Sequence, residues 1–106
     1  MTFDELLRRN VFTFEVTQQD ISEATKRNAL GCPLAKAINR TLGLEPGSTS
    51  VSHTRVHTIR VPRCDSTVPY ESIEFRHSPE STEFINTFDT DGQVTPATFT
   101  LERTYE

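Results

Sequence analysis

The stretch Gly31-Cys32-Pro33-Leu34-Ala35-Lys36-Ala37-Ile38-Asn39-Arg40-Thr41-Leu42-Gly43 constrains the fold of this chain most. It holds a start signal, an apolar face and a stop signal. Pro33 suits the first turn of a helix, where its missing N–H has no partner to lose. Gly43 supplies the left-handed residue on which many helices end. Between them Leu34, Ala35, Ile38 and Leu42 recur at three- and four-residue spacing and form one apolar stripe, with Lys36, Asn39 and Arg40 left for the other side. A helix with such a stripe needs a surface to cover.

Short alternating segments supply that surface. Val11-Phe12-Thr13-Phe14-Glu15-Val16 changes face at every residue, with Phe12, Phe14 and Val16 together, as a half-buried strand does. Tyr70 to His77 alternates in the same way around Ile73 and Phe75, and Thr98 to Glu102 does so around Phe99 and Leu101. Val51 to Val61 is largely β-branched and predicts one strand closed by Pro62.

Three further helices are marked by their starts. Thr2-Phe3-Asp4-Glu5 has the capping-box spacing and predicts a short helix over residues 3–9. Thr17-Gln18-Gln19-Asp20 repeats it and opens a helix of about ten residues through Asn28, with Ile21 and Ala24 inward. After a break at 28–31, that helix and the Pro33 helix form a helical hairpin over residues 18–42. Ser78-Pro79-Glu80 starts the last helix, with Phe84, Ile85 and Phe88 as its apolar face and Asp89-Thr90-Asp91-Gly92 as the stopping turn. Residues 44–50 read as a turn-rich connector and 62–69 as a loop bracketed by prolines. The expected order is (short α)-β-α-α-β-β-α-β, a single α+β domain over residues 1–106 with helices packed on one mostly antiparallel sheet.

A length of 106 residues, 34 % hydrophobic and 25 % charged, is that of an ordinary folded domain with one modest core. No apolar run approaches the ~20 residues a membrane span needs. The acidic start Met1-Thr2-Phe3-Asp4-Glu5 lacks the basic-then-apolar order of an export signal, so the expected location is cytoplasmic. Two reduced thiols are therefore favoured over a Cys32–Cys64 disulfide.

The net charge of −4 is unevenly spread. Residues 1–25 carry two arginines against five carboxylates, and 26–63 carry seven basic residues against Glu45 alone. Residues 65–106 carry Arg76 and Arg103 against nine carboxylates. These blocks either neutralise one another within the fold, which is the favoured reading, or form opposed surface patches that steer partners.

Few residues suggest chemistry. Cys32, Cys64, His53, His57 and His77 are the soft-metal candidates, but the cysteines are far apart rather than paired at short spacing. On one strand His53 and His57 stand about 13 Å apart, too far to share an ion, so sheet-face histidines titrating near neutrality are the expectation. Cys32 stands at a helix start that can lower a thiol pKa, yet no motif supplies a base, and a small buried lead-in cysteine is favoured. Asp89-Thr90-Asp91-Gly92 has only part of a calcium loop and reads as a turn. No phosphate loop or nucleophile elbow is present, and no catalytic residue, cofactor or metal is expected.

Val16-Thr17-Gln18-Gln19-Asp20-Ile21, Cys32-Pro33-Leu34-Ala35-Lys36-Ala37-Ile38, Phe84-Ile85-Asn86-Thr87-Phe88-Asp89 and Val94-Thr95-Pro96-Ala97-Thr98-Phe99-Thr100-Leu101 resemble, in order and spacing, a group of small uncharacterised proteins encoded by bacteriophages and prophages. The resemblance implies a non-enzymatic accessory protein that binds a host protein, with a component of bacterial immunity as the expected target. The expected partner-binding face is acidic, made of Glu80, Glu83, Asp89 and Asp91, and would meet a basic, nucleic-acid-binding surface on the partner. The alternative is a small nucleic-acid-binding protein that uses the hairpin 18–42 and its basic face, Lys26, Arg27, Lys36 and Arg40. A pI near 5.3 and the absence of aromatics among those basic residues weigh against it.

Overall fold

Alternation along the strands sets the architecture in the computed structural model, which describes residues 2–52, 54–60 and 71–104. The elements are α1 (Phe3–Leu6), β1 (Val11–Val16), α2 (Gln18–Glu23), α3 (Pro33–Leu42), β2 (Thr49–Val51), β3 (Arg55–Arg60), β4 (Glu71–Arg76), α4 (Pro79–Asp91) and β5 (Ala97–Arg103). The strands form one antiparallel sheet in the order β1-β5-β4-β3-β2. Every second strand residue faces the helices: Phe12, Phe14 and Val16, then Phe99 and Leu101, Ile73 and Phe75, Val56 and Thr58, and Thr49 and Val51 are all buried. The opposite face carries Thr13, Glu15, Thr98, Thr100, Glu102, Arg76, Arg55 and His57, all exposed. This is the one-sided burial that antiparallel sheets allow.

The core is aromatic at its centre. Phe12 stacks on Phe14 with ring centroids 5.2 Å apart, lies 5.7 Å from Phe75, and Phe14 is 6.2 Å from Phe99. Helix α3 covers this layer with Leu34, Ala35, Ala37, Ile38 and Leu42, all buried. Helix α4 adds Ile85 and Phe88, and Phe84 meets Phe99 edge-on at 5.1 Å. The β1–β5 ladder runs over six residue pairs, whereas β4 and β5 pair only at Phe75↔Arg103 and Arg76↔Glu102. The sheet is thus two offset ladders joined at a narrow seam. Among the described residues no helix is long and apolar enough to cross a membrane.

The α+β class and the element order are as expected, with one strand added and several boundaries moved. The strand expected over 51–61 is a hairpin, because Ser52 Oγ accepts the N–H groups of Thr54 and Arg55 and turns the chain between β2 and β3. Val51 and Val56 are five residues apart and pair across that turn. Helix α2 stops at Glu23 rather than near Asn28, with Ala24 already extended at ψ 156°. Beyond Ala24 the sequence offers no apolar residue before Ala29 to bury a further turn. The hairpin of helices is therefore two helices joined by a folded segment, held by Thr25 N–H donating to Gly31 O at 2.9 Å. Helix α1 is shorter than expected, and α4 continues through Asp89 and Asp91 before Gly92 ends it at φ 71°. Asn39, assigned to the polar side of α3, is buried. The Thr49 hydroxyl lies 2.6 Å from Asn39 Oδ1 and 2.9 Å from the Thr58 hydroxyl oxygen, and its one proton is shared between these two acceptors. The loop at 62–69 lies outside the described residues.

Candidate functional site

Helix α4 positions the acidic candidates. Ser78 caps it through a reciprocal pair with Ser81, and Pro79 occupies the first turn. With Ser81, Ile85 and Phe88 pointing inward, a rotation of about 100° per residue puts Glu80, Glu83 and Asp91 on one flank and Asp89 on the other. Glu80, Glu83 and Asp91 are exposed, and among the described residues none of them forms an ion pair. Beside Glu80 and Glu83 runs a shallow groove of about 360 Å³ with Phe84, Val94 and Phe99 in its lining. Asp89 is not part of that flank. Its Oδ1 accepts the N–H of Arg27 at 2.9 Å and ties the segment after α2 to the end of α4.

The basic candidates are scattered. The Arg40 guanidinium grips Asp20 at two points, Nη2 to Oδ2 at 3.0 Å and Nε to Oδ1 at 3.3 Å, and Nη2 also donates to the Glu15 carbonyl at 2.7 Å. Asp20 is doubly used, since its carboxylate also accepts the Thr17 N–H in the α2 capping box. Burial alone would raise its pKa; the Arg40 hydrogen bonds and those from Thr17 outweigh it, and the net shift is downward. Lys26 lies across the C-terminal turn of α4, near enough that a Cβ on Gly92 would stand 3.1 Å from its Nζ. A cation at that end suits the negative pole of a helix with no basic residue in its last turn. Arg27 is exposed in the connecting segment at φ 56°, and Lys36 is half-buried on α3.

Cys32 is a cap. Its Sγ accepts the N–H of Ala35 at 3.4 Å, and the residue is 3 % exposed. Burial pushes the thiol up to about 11, the N–H groups of Ala35 and Leu34 counter it in part, and the Asp89 charge adds to the rise. At neutral pH the sulfur is a protonated thiol, the opposite of what a nucleophile requires. It floors a cleft of about 570 Å³ together with Val51 and Ile85, rimmed by Arg27, Asn86 and Asp89.

The remaining candidates do not converge. His57 is exposed on the open face of β3, while His77 precedes α4 with Nδ1 2.8 Å from Ser81 Oγ. His53 and Cys64 lie outside the described residues, and so does the expected spacing of His53 from His57. Among the described residues no group of three or more His, Cys, Asp or Glu side chains is placed to hold a metal ion. The sequence pattern missed the Asp20–Arg40 pair, although each member stood out, one as a capping acid and the other as a basic residue late in a helix.

Comparison with protein-family models, curated protein sequences and solved structures finds no match to this chain.

Proposed function

We propose that this chain is a non-catalytic protein-binding module of the phage-accessory kind, which blocks a host protein by covering a basic surface on it. The observation that carries the reading is the exposed flank of α4, where Glu80 and Glu83 border a groove lined in part by Phe84, Val94 and Phe99, and Asp91 is exposed further along the same flank. Carboxylates repel nucleic acid, and they complement a patch of lysines and arginines that has apolar residues among them. The internal use of opposite charge supports the same face. Arg40 is engaged by Asp20 and Lys26 by the end of α4, so two of the four basic candidates serve the fold itself. A bacterial nucleic-acid-binding protein of the immune machinery is the kind of target such a surface imitates phosphate for.

The test is affinity capture from bacterial lysate with mass spectrometry, comparing the natural chain with a Glu80→Lys, Glu83→Lys, Asp91→Lys variant. A control variant, Glu23→Lys with Glu45→Lys, reverses charge away from α4. The expected result is a specific prey lost only in the α4 variant. Equal capture by all three chains removes the acidic flank from consideration. A salt-sensitive gel shift with nucleic acid, abolished by neutralising Lys36 and Arg40, would favour the alternative instead.

A further inference from the structure

Strand β1 ends the sheet on one side, and hydrogen-bond alternation tells which of its groups point outward. Arg103 N–H donates to Asn10 O, so the even-numbered residues of β1 bond to β5. The N–H and C=O groups of Val11, Thr13 and Glu15 therefore face away from the sheet. On the other edge, the three-residue strand β2, the outward N–H of Val51 donates to Ala29 O at 2.9 Å. On β1 the described residues cover a single outward group: Arg40 Nη2 donates to Glu15 O. The strand has no proline, lysine or bulge along its length, and Val11 is 48 % exposed. Natural edge strands left this way are templates for pairing.

We propose that β1 pairs antiparallel with β1 of a second copy of this chain, about a two-fold axis at Phe12. Symmetric registers centred on Phe12, Thr13 or Phe14 pair outward groups of β1 with those of a second copy at two or more positions, and the one centred on Phe14 pairs Thr13 with Glu15 and so needs the Glu15 carbonyl that Arg40 holds. Centring on Thr13 would pair Val11 with Glu15 and needs the Glu15 carbonyl, which Arg40 occupies. Centring on Phe12 pairs Val11 with Thr13 twice, uses only uncovered groups, and leaves the Arg40 contact intact. The same register brings Arg9, two residues before β1 of one copy, to the level of Glu15 of the other, and both residues are exposed. Opposite charges across strands support a register, and like charges oppose it. The contact is isologous, so the charge pair occurs twice. Arg40 thus acts as a register guard, blocking two of the pairings and permitting the third.

Sedimentation of the full chain across a concentration series reaching about 100 μM reads the equilibrium, the range suited to a small interface. The expected result is a dimer that dissociates on dilution. Val11→Pro removes an outward N–H that β5 does not use, so it should leave a folded monomer, with circular dichroism checking the fold. Arg9→Glu and Glu15→Arg should each weaken association by about tenfold, and the double exchange should restore it. A natural chain that stays monomeric throughout overturns the proposal. So does a dimer indifferent to Val11→Pro and to the charge exchange, since its interface lies elsewhere.

Discussion

At the scale of single residues, the chain spends its chemistry on construction. Asp20 is the clearest instance: one carboxylate closes the α2 capping box and holds Arg40, which in turn covers the Glu15 carbonyl of β1. The folded pKa of Asp20 lies below its ordinary value of 3.8, so its contribution to stability is complete above that value and is lost as pH falls through the lower folded one. Asp20→Asn should therefore cost about 1–2 kcal/mol at neutral pH, from the cap and the charge-assisted bonds together. The difference from the natural chain should shrink below about pH 4, where the natural carboxylate also takes up a proton. Denaturant melts at pH 7 and pH 3 measure it; a difference that does not change with pH would mean the charge on Asp20 contributes nothing. Cys32 follows the same logic, with its sulfur used as a helix cap rather than as a reagent.

At the scale of elements, helix ends decide more than helix middles. Gly43 and Gly92 both close their helices in the left-handed region, at φ 67° and 71°. A side chain there costs about 1–2 kcal/mol from backbone strain alone. The surroundings separate the two positions. A Cβ at Gly43 meets nothing within 4 Å, whereas at Gly92 it would stand 2.6 Å from Lys26 Cε. That atom is the far end of a flexible, exposed side chain that can swing aside, so Gly92→Ala and Gly43→Ala are expected to lower the melting temperature by similar amounts, set by the backbone strain. A much larger loss at Gly92, recovered by adding Lys26→Ala, would show instead that Lys26 is held fixed over the end of α4. Most of this layer was legible from residue order: the caps at Thr2, Thr17, Cys32 and Ser78, the stops at Gly43 and Gly92, and the alternation of β1, β4 and β5. The β2–β3 turn was hidden because Ser52 and Thr54 pass for strand residues, and their backbone bonding shows only in three dimensions. The odd spacing of Val51 and Val56 was the one available signal, since a continuous strand would have sent them to opposite faces.

At the scale of the whole molecule, the two ends of the chain meet at the middle of the fold. Strand β5 lies between β1 and β4, pairing Phe12 with Leu101 and Phe14 with Phe99. Contacts so distant in sequence form late and close the core all at once. Ending the chain after Thr95 should therefore abolish cooperative unfolding instead of merely lowering stability, because Phe12, Phe14 and Phe75 lose their common neighbour strand. Thermal melts followed by circular dichroism read this directly, and a sharp transition in the shortened chain would show that β5 is dispensable to the core. The same scale sorts the charges. Folding gives Arg40 and Lys26 structural partners and ties Asp89 to Arg27, while Glu80, Glu83 and Asp91 remain exposed, the first two beside the groove.

What the amino-acid order determined by itself was local: which segments alternate, which carry an apolar stripe, and where helices start and stop. Those properties depend on neighbours within a few residues, so a linear pattern records them. Only the tertiary structure decided that Asn39 is buried, that Asp20 takes Arg40, and that Asp89 faces the opposite flank of α4 from Asp91. It also decided that Arg40 caps the Glu15 carbonyl on the β1 edge. Each of those depends on the meeting of elements far apart in the chain, where hydrogen-bonding and charge partners are set by packing rather than by spacing.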